Sequence, residues 1–239
     1  MSEQGKQADG RIFARIKEAG ILVTIPGDLP LERVTMVADA LLAAPVLAVE
    51  VTYRDAAGLR LVTDLRRRAR DLLVVGMAEI ETAVQVAAAA AAGAAFISSS
   101  RLDNDVLQAC QARAIGYIPT VISVWAAQAA MERACRMVRL RTGGPQGGEY
   151  LQAVQEVVPE LDFLLEVIDL QLSDVDNYAA LGAAGLVTGH AVYAGDGQPM
   201  GDIISRARQM QQAWQQADGG VGTGSKPKPG REFENGNLN

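Results

Sequence analysis

Apolar and polar positions alternate along the chain in a repeating two-part pattern. Short apolar runs, each followed by a stretch with helical spacing, stand at ILVTI from 21, VLAVEVT from 46, LLVVG from 72 and AFIS from 95. The series continues with YIPTV from 117, MVRLR from 137, FLLEV from 163 and GLVTG from 185, at start-to-start intervals of 20 to 26 residues. Each interval is the length of one βα unit, so the pattern predicts eight strands alternating with helices. Near-continuous apolar strands are those of a parallel sheet covered on both faces, and eight is the number at which such a sheet closes. The expected fold is therefore α/β, a compact (β/α)8 TIM barrel. An open doubly wound sheet competes, but a glycine fingerprint would follow its first strand, and ILVTI leads into Pro26-Gly27-Asp28 instead.

Outside the eight units, Asp9 to Ala19 reads as an amphipathic helix able to plug the barrel bottom, and Asp202 to Ala217 as a glutamine-rich helix with Ile203, Ile204, Met210 and Trp214 on one side. From Asp218 the composition turns to glycine, proline and polar residues with little to bury. The organisation expected is a barrel domain over 1–217 and a disordered, solvated tail over 218–239, with a docking peptide at FENGNLN as the alternative.

Composition narrows the function. Half the residues are hydrophobic (49%) and 21% are charged, as in a soluble globular protein, and 22 basic against 28 acidic residues leave a formal charge of −6. Nucleic acid is thus not expected as a partner. The first twenty residues have no apolar core of a secretory signal, and no run is long enough to span a membrane. Two cysteines, Cys110 and Cys135, make neither a disulfide framework nor a zinc motif and fit a reducing, cytoplasmic setting.

In a barrel of this kind chemistry sits where strands end, so those positions carry the candidate site. They include Glu50, Thr52, Tyr53 and Arg54 after strand 2, Glu79 after strand 3, Ser98 to Arg101 after strand 4, Arg139 and Arg141 on strand 6, Asp169 after strand 7 and His190 after strand 8. A serine nucleophile among Ser98 to Ser100 lacks a histidine base, His190 aside. Tyr53 and Trp125 suit either a pocket wall or ordinary packing.

Several segments, taken in order, resemble the KDPG/KHG aldolases (2-keto-3-deoxy-6-phosphogluconate and 4-hydroxy-2-oxoglutarate aldolases). VEVTYRDAAG resembles that family's I-E-V-T-x-R, VVGMAEI its V-G-A-G-T-V, and AAGAAFISSSRLDNDVL its A-G-A-x-F-I-V-S-P-G-L-D-x-x-V. GYIPTVISVWAAQAAM, MVRLR, GGEYLQAV and LGAAGLVTGHAVY follow at matching spacing, over residues 12 to 193. The resemblance implies a homotrimer, a small anionic keto acid as ligand and Glu50 as the proton-moving glutamate; among the strand-end residues, Thr52, Arg54, Ser99, Arg141 and His190 are the expected ligand contacts.

The same resemblance puts Arg139 where the family has the lysine that forms a Schiff base with the substrate ketone. A guanidinium has no free lone pair to attack a carbonyl, and the four lysines, Lys6, Lys17, Lys226 and Lys228, all lie outside the barrel units. The family's T-G-G-I phosphate turn is Val167 to Leu170 here, with Asp169 set against a phosphate. Gly143, Gly144, Gly147 and Gly148 beside Arg139 and Arg141 offer an alternative anion pocket.

Three functions are therefore expected to compete. The first is a catalytically degenerate barrel in which Arg139 pairs with Glu50 or Glu79 and only binds a small acid or serves as a scaffold. The second is a 2-keto acid lyase assisted by Mg2+ or Mn2+ held through Glu50, Glu79, Asp169 and His190, with Arg139 on the substrate carboxylate. The third is aldol chemistry by another route. The first requires no cofactor.

Overall fold

A computed structural model describes residues 3–44, 46–54, 56–142, 147–167, 170–195 and 197–220. In chain order the elements are α1 (Glu3–Ala19), β1 (Ile21–Ile25), α2 (Leu31–Ala43), β2 (Ala48–Thr52), α3 (Ala56–Ala69), β3 (Val74–Ala78), α4 (Ala83–Ala91), β4 (Phe96–Ser99) and α5 (Asn104–Arg113). They continue with β5 (Gly116–Val121), α6 (Val124–Glu132), β6 (Met137–Thr142), α7 (Gly147–Val157), β7 (Asp162–Val167), a single 3-10 turn, α8 (Val175–Ala180), β8 (Gly185–Thr188) and α9 (Met200–Gly220). The eight strands pair in parallel in sequence order and β8 returns to β1, closing the barrel. All eight expected units are present.

Side-chain alternation sorts each strand into an outer and an inner set. Outward residues such as Val23, Val49, Val75, Ile97, Val138 and Leu165 are buried against the helices in one continuous core. Inward residues divide by height. At the bottom, Leu22, Ala48, Val74, Phe96, Ile118, Met137, Leu164 and Val187 form a second apolar cluster that receives Phe13, Ile16 and Ala19 from α1. The expected plug is this helix, which begins at Glu3, six residues before Asp9. Room for its aromatic ring and for Phe96 comes from two glycines. A Cβ on Gly76 would stand 2.3 Å from the Phe96 ring, and one on Gly116 would stand 3.1 Å from Phe13.

Above that apolar floor the inward positions become polar, with Thr24, Glu50, Ser98, Thr120 and Arg139 replacing aliphatic side chains. Helix starts on the same side are fixed by side-chain caps. Thr82 and Gln85 form a capping box on α4, Asp103 accepts from the amides of Asp105 and Val106 at α5, and Ser123 accepts from Ala126 at α6. On the far side, α9 runs down the barrel with Ile203, Ala207, Met210 and Trp214 buried. It continues three residues past Ala217 to Gly220. The remainder of the expected tail, 221–239, lies outside the described residues. Among the described residues no helix is long and apolar enough to cross a membrane.

Candidate functional site

The polar layer is organised by strand register. Glu50 on β2 lies beside Thr24 of β1 and Gly76 of β3, while Arg139 on β6 lies beside Thr120 and Leu164. Because β2 and β6 face each other across the closed barrel, their inward side chains meet at its centre. Arg139 Nη2 donates to Glu50 Oε1 at 2.5 Å and to Ser98 Oγ at 3.2 Å. Thr24 Oγ1 donates to the same Oε1 at 2.8 Å, and Ser98 Oγ donates to Oε2 at 2.7 Å. The glutamate is wholly enclosed and the arginine side chain is 7% exposed. Burial works against the guanidinium's charge, but the carboxylates of Glu50, Glu166 and Glu79 outweigh it and hold the arginine pKa above its ordinary value.

Of the two expected partners of Arg139, then, Glu50 is the one engaged. The contact is made through one guanidinium nitrogen rather than a two-pronged fork. Arg139 Nε is buried with no partner. With both carboxylate oxygens of Glu50 accepting from three donors, and with the residue absent from the wall of the cavity above, Glu50 sits behind Arg139 rather than facing a ligand.

That cavity, about 1390 Å³, opens at the strand ends and has Arg139, Ser98, Thr24 and Thr120 in its floor. Its rim holds two further ion pairs. Arg54 Nη1 lies 2.9 Å from Glu79 Oε2, and Arg141 Nε lies 2.8 Å from Glu166 Oε2 with Nη2 at 3.4 Å from Oε1. The candidate ligand contacts Arg54 and Arg141 are thus each committed to a carboxylate. His190 is exposed on the wall after β8. Thr52 Oγ1 accepts from the Gly27 amide at 2.8 Å and fixes the β1–α2 loop, where a Cβ on Gly27 would strike the Thr52 carbonyl.

Ser99 alternates outward from Ser98, and its hydroxyl donates to the Arg101 carbonyl at 2.5 Å and touches the Tyr117 hydroxyl at 2.7 Å. Ser99 thus holds the rim loop while also contributing to the cavity lining. Tyr53 lines the cavity, whereas Trp125 stands 82% exposed on the surface, neither a pocket wall nor a packed residue.

Among the candidate metal ligands, Glu50 is held by Arg139, Glu79 by Arg54, and Asp169 lies outside the described residues. No three His, Cys, Asp or Glu side chains gather as an ion would need among the described residues. Of the glycines expected to shape an anion pocket, Gly143 and Gly144 also lie outside them. Gly147 and Gly148 are packing positions, where a Cβ would come within 2.5 Å of Thr142 Oγ1 and of Leu181.

Sequence reasoning placed Thr120 among the strand-end positions but missed Thr24 and Arg206. Thr24 steadies Glu50, Thr120 shares the floor and bonds the Ser99 carbonyl at 2.7 Å, and Arg206 reaches the wall from α9. The signal for Thr24 was a polar residue at an inward position of an otherwise apolar strand. For Arg206 there was none.

Comparison with solved structures places the fold. A 4-hydroxy-2-oxoglutarate/2-dehydro-3-deoxyphosphogluconate aldolase from TTHB1 is 24% identical, covers 85% of this chain and 98% of its own, and superposes with a TM-score of 0.75. The 2-keto-3-deoxy-6-phosphogluconate aldolase of Zymomonas mobilis ZM4, solved with 3-phosphoglycerate, gives 17% identity, 85% and 94% coverage, and a TM-score of 0.71. The KDPG aldolase of Legionella pneumophila, with pyruvate captured as a covalent carbinolamine, gives 20%, 87% and 97%, and 0.67. No curated protein matches the chain. Residues 12–202, nearly the whole barrel, match the sequence profile of one family, so the chain belongs to the KDPG and KHG aldolases.

Proposed function

We propose that this chain is a degenerate family member that holds a small 2-keto acid or related monocarboxylate against Arg139 without capturing it covalently. The observation carrying this is the closed group of Arg139, Glu50, Ser98 and Thr24 at the centre of the barrel; the segment resemblance sets its arginine against the family's imine-forming lysine. An arginine cannot form an imine. It can hold a carboxylate: guanidinium carries five N–H donors, and among the described residues Nη2 is engaged and Nε enclosed, which leaves Nη1 for a ligand. Glu50 keeps that cation tolerable in the barrel interior. The metal-assisted lyase reading draws less support, because the glutamate it would need is already saturated. Cys110 and Cys135, both buried thiols, support a reducing, cytoplasmic setting. Exposed Val84, Ile122 and Trp125 support association into a homotrimer.

Incubation with pyruvate and borohydride, followed by intact-mass measurement, should leave the protein unmodified, while calorimetry detects reversible pyruvate binding. Replacing the pair as a unit, Arg139→Met with Glu50→Leu, should abolish that binding. A reduced pyruvate adduct on a barrel residue would overturn the reading.

A further inference from the structure

We infer that Glu79 and Glu166 set the cavity's specificity by excluding doubly charged anions, so that its ligand is a monocarboxylate with an uncharged remainder and not a phosphate ester. This rests on the small-acid reading above and adds the substrate class. Four arginines line the cavity, but three are already neutralised: Arg54 by Glu79, Arg141 by Glu166, and Arg139 from behind by Glu50. The fourth, Arg206, shares the lining with two further acids, Asp28 and Glu81. A phosphate dianion reaching either rim arginine would have to displace a glutamate and then lie beside it, and like charges at such distances oppose binding. A single carboxylate needs only the donors that Arg139 has left, at the floor.

The rim pairs have little other purpose. Both partners of Arg54–Glu79 are about half exposed, at 54% and 48%, and Arg141–Glu166 stands at 44% and 27%. Pairs so wet contribute little to folding. Glu79 moreover holds a backbone φ of +60°, in the left-handed region that a residue with a side chain occupies at a cost. A strained backbone that aims a carboxylate over a ligand cavity, for a pair that scarcely stabilises the barrel, is explained by what the carboxylate does to the cavity's charge.

Calorimetric titration with inorganic phosphate and, separately, pyruvate at low ionic strength tests this on the full chain, Glu79→Gln, Glu166→Gln and the double variant. Phosphate should bind the double variant at least about tenfold more tightly than the wild type, with pyruvate affinity changed less than about threefold. Adding Arg141→Met to Glu166→Gln should remove the gain made at that pair. Phosphate binding equal in wild type and double variant would overturn the inference. If Glu166→Gln misfolds, the exposed Glu79→Gln carries the same comparison. Absence of pyruvate binding in every form would instead defeat the small-acid reading, with the phosphate comparison still deciding the exclusion.

Discussion

Arg139 and Glu50 lie 89 residues apart in the chain and 2.5 Å apart in the barrel, and together they exchange a lone buried charge for a matched pair. The pair is a poor source of net stability, since two ions have been taken out of water to make it. Its asymmetry is the useful property. Removing the negative partner leaves a guanidinium enclosed without compensation.

Glu50→Gln should therefore destabilise the protein by about 3 kcal/mol, whereas the double replacement Glu50→Leu, Arg139→Met should fall within about 1 kcal/mol of the wild type or exceed it. Urea unfolding followed by circular dichroism measures both. Equal losses in the two variants would show that the polar floor is held by packing and not by the pair.

Tyr117 anchors the β4–α5 rim from beneath. Its hydroxyl accepts from the Asp103 amide at 3.1 Å, donates to the Arg101 carbonyl at 3.1 Å, and meets Ser99 Oγ. Tyr117→Phe leaves those groups short of a partner and should cost about 1–3 kcal/mol. Burial pushes the phenol up to about 12, from 10.0. A group with a raised folded value stabilises fully below its unfolded value and ceases to do so as pH climbs through the folded one. Stability should thus fall between pH 10 and about 12, and the Phe variant should fall less steeply there.

How much of this could be read from the chain depends on sequence distance. The strand periodicity gave all eight units because a strand buried on both faces is apolar whatever its neighbours. Contacts between adjacent strands were also within reach: Thr24–Glu50 and Arg141–Glu166 are separated by 26 and 25 residues, one βα unit each, as expected of partners in a parallel register. Arg54–Glu79 follows the same rule. Closure was legible as well, since the count of eight units predicted it and placed Glu50 among the two expected partners of Arg139 across the barrel. What the sequence hides is the choice of Glu50 over Glu79, and the reach of Arg206 into the cavity, which depends on how α9 packs. The outward turn of Ser99 was hidden by its place in a run of three serines, where strand register alone decides which hydroxyl faces inward.

Cys135 is buried at 8% exposure just before β6, and burial pushes its thiol up to about 11, from 9.0. Thiolate is the reactive form, so the native protein should resist alkylation at neutral pH. Iodoacetamide labelling read by mass spectrometry should modify Cys135 at the unfolding rate and accelerate to full reaction in urea. The same sign rule applies: the thiol's contribution is complete below pH 9.0 and lost toward about 11, so Cys135→Ser should soften the alkaline loss of stability in that window. Rapid native labelling at neutral pH would contradict this burial.

The two tryptophans report on association because they sit in opposite surroundings. Trp214 on α9 is 4% exposed, packed where a Cβ on Gly20 would strike its ring, while Trp125 in the first turn of α6 is 82% exposed beside Ile122 at 69%. An indole left in water is costly unless another surface covers it. If a second copy does so, light scattering should return a mass of a small multiple of 25.3 kDa, and iodide should quench neither tryptophan strongly. Trp125→Glu would place a charge at the centre of that contact and should reduce the particle to a monomer without changing the helical signal. Dilution of the wild type should expose Trp125 to iodide over the concentration range in which the mass falls. A monomer with strongly quenched Trp125 at every concentration would show that this face stays open to solvent.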